Sequence, residues 1–159
     1  MNDDIIFSFY QKNDFEPLLN IILEFRFHLE RTPEKKAVFS SDNIQKDERE
    51  FLKFNSGSHY YSFFIAKSQN EIVGYIWFGQ QDEDRTKGFI GELFVRNNFR
   101  KRGIAKVLLQ EAQKWIENKK CSEIEIDVHQ TDTDAMKLYE SFGFVQQNQS
   151  PIIYKKMLI

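Results

Sequence analysis

Between residues 60 and 116 the spacing of apolar side chains changes period once. Residues 60–66, 72–79 and 89–95 are short β-rich runs, whereas Ile104, Val107, Leu108, Ala112, Trp115 and Ile116 recur at helical spacing. A strand must therefore pass into a helix through the short basic connection that holds Arg100-Lys101-Arg102-Gly103. Ser68-Gln69-Asn70 separates the first two runs and reads as the turn of an antiparallel hairpin.

The remaining segments extend the pattern on both sides. Residues 5–10 read as a first strand. Asn13 or Asp14 can cap a helix, Pro17 fits its first turn, and Leu18, Leu19, Ile22, Phe25 and Leu29 form its stripe. A second helix is expected over residues 41–55, with Ile44, Phe51, Leu52 and Phe54 as its apolar positions. Downstream, Ile124, Ile126 and Val128 alternate with Glu123, Glu125 and Asp127, as in a strand with one buried face. Residues 133–141 read as a helix stopped by Gly143, and residues 144–145 and 152–158 as closing strands. The order is strand, two helices, three strands, helix, strand, helix, two strands. It carries no repeat or linker, so a single α+β domain over residues 1–159 is expected.

Composition narrows the function. A formal charge of -2 argues against a dedicated nucleic-acid binder. Cys121 is the sole cysteine and cannot form an internal disulfide, which suits a reducing compartment. The N-terminus lacks the order of a signal peptide, and no apolar run approaches the ~20 residues that span a bilayer. A soluble cytoplasmic protein without membrane partners is the expectation. His28, His59 and His129 form no ligand cluster with Cys121, so no metal site is expected.

The basic turn has its own chemistry. The first N–H groups of a helix lack internal partners, and the helix dipole places partial positive charge there. A phosphate ester satisfies both, Gly103 lets it approach the backbone, and three cationic side chains surround the point. A plain solvated basic turn has the same composition, so the tetrapeptide alone leaves both readings open. The spacing is not that of a P-loop, and a lone glycine after a hairpin is not a dinucleotide fingerprint.

Two motifs at the right separation carry a resemblance to the GCN5-related N-acetyltransferase (GNAT) family. Arg100-Lys101-Arg102-Gly103-Ile104-Ala105 resembles its pyrophosphate loop, Q/R-x-x-G-x-G/A, and the segment from Ala135 to Phe144 resembles its A-x-x-L-Y-x-x-x-G-F motif. The resemblance implies a GNAT (acyl-CoA N-acyltransferase) fold: a central mixed, mostly antiparallel sheet flanked by helices. It implies acetyl-CoA as cosubstrate, with the pyrophosphate on Arg100, Lys101, Arg102, Gly103, Ile104 and Ala105, and with Phe94 and Val95 offering backbone hydrogen bonds to the pantetheine arm. One position departs: Asp132 stands where the family usually has asparagine. A carboxylate keeps the acceptor oxygen and loses the amide donor, so Asp132 reads either as a cofactor contact or as the cap of the following helix.

The same resemblance gives Tyr139 the role of general acid toward the departing thiolate; with a pKa of about 10 it is protonated at neutral pH. Glu92 takes the place of the base. Its strand position alone fits either a partly buried functional carboxylate, one that draws in a cationic amine, or an exposed one. His129, at a strand end, is a spare base or a surface histidine. The acceptor is expected to be a small-molecule or peptide amine, selected by the two N-terminal helices and a loop holding Asp82, Glu83 and Asp84. Paired subunits are common in the family, yet no residue pattern here defines a homodimer interface. A non-catalytic acyl-CoA-binding module remains the alternative to an enzyme.

Overall fold

In the computed structural model, residues 4–29, 42–128, 133–149 and 152–158 are described. The N-terminal half contains β1 (Ile5–Phe9), α1 (Phe15–Leu29), α2 (Asp42–Ser56), β2 (Tyr61–Ser68) and β3 (Glu71–Gln80). The remainder contains β4 (Lys87–Val95), α3 (Ile104–Asn118), β5 (Glu123–Asp127), α4 (Thr133–Ser141), β6 (Val145–Gln146) and β7 (Ile153–Met157). Seven strands form one sheet in the order β1-β2-β3-β4-β5-β7-β6. Every neighbouring pair is antiparallel except β4 and β5, which run parallel. This is the mixed, mostly antiparallel sheet expected, with the same element order.

Different helices cover the two faces. On one face α3 lays Ile104, Leu108, Leu109, Ala112 and Ile116 against Phe64, Ile76, Phe78 and Ile90. Fully burying an aliphatic side chain of this size contributes about 1.5–3 kcal/mol. On the other face Leu18, Ile21 and Ile22 of α1 and Leu52 of α2 pack on Phe63, Ile65 and Tyr75. A short turn enters α1, in which the backbone N–H of Gln11 donates to Asp14 at 2.8 Å. Asp14 is itself buried and ion-paired with Lys67 of β2, so this cap also ties the helix entry to the sheet.

One irregularity matters for the rest of the molecule. β4 pairs with β5 from Lys87↔Glu123 to Ile90↔Ile126, then continues to Val95 with β3 as its sole strand neighbour among the described residues. The register with β3 shifts at the same place, because Trp77 pairs with Glu92 and Phe78 with Ile90, leaving Gly91 as a bulge. Strict alternation would put Ile90, Glu92 and Phe94 on one face. The bulge leaves Ile90 under α3 and turns Glu92 and Phe94 toward α1. Gly91 is also required sterically: a Cβ there would lie 2.2 Å from Cε3 and 2.3 Å from Cζ3 of Trp77.

Gly91→Ala should therefore destabilise the fold by about 1–3 kcal/mol in chemical denaturation. It should also shift the Trp77 fluorescence, because the indole must move.

Candidate active site

The connection from β4 to α3 is a cradle for an anion. After a short 3-10 turn at Asn97–Phe99 the backbone becomes left-handed at Lys101 (φ 61°) and again at Gly103 (φ 80°), which is the helix N-cap. A left-handed lysine costs on the order of 1–3 kcal/mol, and such strain gathers at functional sites. Gly103 supplies no capping side chain, and a Cβ added to it would meet nothing within 4 Å. The first bond into the helix is Val107 N–H to Gly103 O at 3.3 Å, which leaves the N–H groups of the first turn facing open space. There is no acid in that turn. Arg100 closes the cradle from behind, its Nε donating to Val95 O at 2.9 Å.

A cleft of about 570 Å³ runs from this cradle along β4. Leu93, Phe94 and Val95 form its floor, Phe25, His28 and Leu29 of α1 one wall, and Asp134, Ala135 and Leu138 of α4 the other. Because β5 has already departed, the outer backbone edge of residues 91–95 has no strand partner among the described residues. An extended polar chain can add to such an edge as a further strand would.

On the other side of the split lies a second cleft, of about 650 Å³. Phe51, Phe54, Tyr61, Trp77 and Phe89 line it, and Asp82, Glu83, Glu125 and Asp127 contribute carboxylates. The rings pack edge to face, Trp77 lying 4.9 Å from Phe51 and 5.1 Å from Phe89. Two of the acids are engaged: Asp82 accepts from the Tyr61 hydroxyl and pairs with Arg85 at 3.1 Å, and Glu125 pairs with Lys155 at 3.6 Å. Aromatic walls with carboxylates suit an organic cation.

Between the clefts Glu92 is held tightly. Its side chain is 6% exposed, accepts from the Arg26 guanidinium on one oxygen, and accepts from the Tyr75 hydroxyl at 2.5 Å on the other. Arg26 also donates to Glu48 of α2 at 2.9 Å. Burial opposes the charge of Arg26, but the Glu92 carboxylate outweighs it and keeps the guanidinium protonated. Burial, reinforced by Glu92, pushes the Tyr75 phenol well above its usual range. The carboxylate expected to act as a base thus has both oxygens occupied by donors.

Tyr139 is buried in α4, with Phe144 edge-on at 6.0 Å and Tyr154 at 6.4 Å. Its backbone is fixed as well. Phe144 N–H donates to Tyr139 O at 3.1 Å and Gly143 N–H to Glu140 O at 3.0 Å, the paired bonds of a Schellman stop. Its neighbours Ala135 and Leu138 face the cleft beside the cradle, while Tyr139 itself is not on the cleft wall.

The structure brings Phe94, Val95, Arg100, Lys101, Gly103, Ile104 and Ala105 together around one cleft. Arg102 lies outside that lining, its guanidinium 5.0 Å from the Phe99 ring. Asp132 and His129 fall outside the described residues. Of the three loop acids, Asp82 and Glu83 reach the second cleft, whereas Asp84 accepts from Thr86 N–H at 3.0 Å and Thr86 Oγ1 at 2.6 Å to close the turn. Cys121 is buried, with Sγ 3.8 Å from Arg85 O, and burial pushes its thiol up. Sequence reasoning missed Trp77 and Phe89 as cleft walls, Arg26 and Tyr75 as partners of Glu92, and Glu48 as the second partner of Arg26. Arg26 did leave a signal, as a charge one residue after Phe25 in the apolar stripe of α1.

No helix among the described residues is long and apolar enough to cross a membrane. No group of three or more His, Cys, Asp or Glu among them is placed to hold a metal.

The two sequence motifs implied a mixed, mostly antiparallel sheet with an anion-binding loop at Gly103; the opening of the sheet between β4 and β5 is a finding of the structure. The profile of the Acetyltransferase (GNAT) family matches residues 23–144, and the chain belongs to that family. It is 35% identical over 68 residues to aminoglycoside N(6')-acetyltransferase type 1 of Salmonella typhimurium, over 43% of this chain and 46% of that one. It is 27% identical over 92 residues to spermine/spermidine N(1)-acetyltransferase of Bacillus subtilis, over 54% of this chain and 60% of that one. The chain thus spans about half the length of the curated relatives it matches. The fold matches that of the PaiA N-acetyltransferase of Thermoplasma acidophilum, solved with coenzyme A, at a TM-score of 0.74 and 18% identity, over 98% of this chain and 99% of that one.

Removing Glu92 while leaving Arg26 in place strands a buried guanidinium with half its partners. Glu92→Leu should lower stability by about 3–5 kcal/mol, read as a shift in the urea midpoint. Glu92→Gln, which keeps an acceptor for Arg26, should lose less.

Proposed function

We propose that the chain is an N-acetyltransferase that moves an acetyl group from acetyl-CoA to a primary amine on a cationic molecule. The observation that carries this reading is the meeting of two features at one point: the unpaired edge of β4 and the anion cradle at Gly103. Together they suit a pantetheine arm followed by a pyrophosphate, and family membership supports the same cosubstrate.

Acetyl-CoA supplies an activated acetyl thioester; the residues of the chain do the rest. The first-turn N–H groups of α3, with Arg100 and Lys101, bind the pyrophosphate, and Arg102, outside the cleft lining, adds positive charge nearby. Phe94 and Val95 hold the arm in line by their backbone groups. The carboxylates of the second cleft draw in the ammonium, and its rings exclude water around it. The amine must be neutral to attack, although an alkylammonium has a pKa near ~10.4. Of the bases expected from the sequence, His129 lies outside the described residues and Glu92 is engaged on both oxygens. The ammonium therefore releases one proton to solvent water before it attacks. As the new C–N bond forms and the C–S bond breaks, Tyr139 gives its proton to sulfur and the nitrogen's extra proton returns through water to the phenolate. If Asp132 contacts the cofactor, it does so as an acceptor only.

Relatives named for aminoglycoside and spermine acetylation support a polycationic acceptor, as do four carboxylates around five rings. A non-catalytic acyl-CoA-binding module would need the cradle but has no use for the second cleft. One continuous sheet supports a single domain over residues 1–159, and the lone buried cysteine suits the cytoplasm.

Calorimetric titration should give saturable, near-stoichiometric binding of acetyl-CoA, with ATP much weaker. Spermine, an aminoglycoside or a peptide amine should then be acetylated. Absence of binding at millimolar acetyl-CoA would defeat the reading. Tyr139→Phe should lower kcat by about 10²–10⁴-fold with little change in the KM for acetyl-CoA; full turnover would remove the acid from the mechanism.

A further inference from the structure

The two clefts share a partition, and a single guanidinium organises it. Arg26 reaches from α1 to Glu92 on β4 and, at 2.9 Å, to Glu48 on α2. Its carbon centre lies 5.9 Å from the Phe25 ring and 5.7 Å from the Phe51 ring. Phe25 belongs to the wall of the cofactor-side cleft and Phe51 to that of the amine-side cleft. Glu92 sits immediately after the Gly91 bulge, on the stretch of β4 that has lost β5. One side chain therefore links the unpaired segment of β4 to the helices that wall both clefts.

Resting on the acetyltransferase reading, we propose that Arg26 is a positioning residue for the transfer, and that Glu92 is its anchor on β4 rather than the acceptor of the amine's proton. The geometry supports both halves. Glu92 lines neither cleft, and its two oxygens already accept from Arg26 and Tyr75. A proton placed on Glu92 would cost Arg26 one of its two charge partners in a site where both side chains are mostly buried. Glu48 pairs with Nε of Arg26 and not with the Nη2 that Glu92 holds, so the two contacts are not interchangeable. Loss of the clamp frees α1 and α2 to shift against β4, and displacing reacting groups by about 1 Å can cost on the order of 100-fold in rate.

The test compares Arg26→Met, Arg26→Lys, Glu48→Gln, Glu92→Gln and the Arg26→Met/Glu92→Gln pair. Steady-state kinetics would use acetyl-CoA and whichever of spermine, an aminoglycoside or a peptide amine is turned over. The clamp predicts that Arg26→Met and Glu92→Gln each lower kcat/KM by about 10- to 100-fold, and that the double variant is no worse than the weaker single. It also predicts that Glu92→Gln keeps the acidic limb of the pH–kcat/KM profile at its wild-type position. Loss of that limb in Glu92→Gln, with kcat preserved in Arg26→Met, would make Glu92 the base and overturn the proposal. Wild-type kinetics in Arg26→Met would overturn it as well. Arg26→Lys and Glu48→Gln, each sparing part of the network, decide the matter if Arg26→Met does not fold; wild-type kinetics in both would count against the clamp. A wild-type protein that neither binds nor turns over acetyl-CoA defeats the acetyltransferase reading instead. The clamp is then read from acrylamide quenching of Trp77, which packs on Phe51, in a Trp115→Phe background. Quenching unchanged by Arg26→Met would contradict it.

Discussion

The site depends on a pairing that stops. β4 and β5 share a ladder as far as Ile90 and Ile126, and β4 then runs on for five residues with one edge bare. An unpaired backbone edge is ordinarily a hazard to be covered. Here the Gly91 bulge turns the strand at the point of separation, α3 begins just beyond its end, and the sheet offers a ligand both a strand's hydrogen bonds and a helix's N-terminal charge. The parallel arrangement of β4 and β5 makes this economical, because the crossover from one strand to the other is α3 itself.

Everything that approaches the split comes from a different part of the chain. α1 and α4 wall the cleft beside the cradle, while α2, the loop after β3, and β5 wall the second cleft. The buried network of Arg26, Glu48, Glu92 and Tyr75 stands between them and carries two carboxylates against one guanidinium. Buried charge of this kind adds little net stability, since desolvation offsets the attraction, but it penalises every arrangement in which the partners are misaligned. That is a better device for fixing geometry than for holding a fold together.

What was legible in the sequence follows from this division. The cradle is local: a strand, a basic turn with Gly103 and a helical stripe lie within a few residues, and the element order follows from apolar spacing alone. The Schellman stop behind Tyr139 was readable from Gly143. The second cleft was readable only in part, because five elements contribute its walls: Asp82 and Glu83 were expected to select the acceptor and do line it, whereas Trp77 and Phe89 were not foreseen. Phe54 was expected to be an apolar position of its helix and is 70% exposed on the cleft rim. Asp84 looked like part of an acidic recruiting loop but spends its carboxylate on the turn. The surroundings of Glu92 could not be inferred from alternation, since its partner Arg26 is 66 residues away and the bulge beside it leaves no mark in a period-2 pattern.

The central claim is that the bare edge of β4 and the first turn of α3 bind one ligand together. Amide hydrogen exchange, measured with and without saturating acetyl-CoA, tests it directly. The account predicts new protection concentrated in residues 91–95 and 103–106, appearing in both segments at the same ligand concentration. Protection of the α3 turn alone would reduce the site to an anion cradle, and exchange unchanged in both segments while ligand is bound would contradict the account.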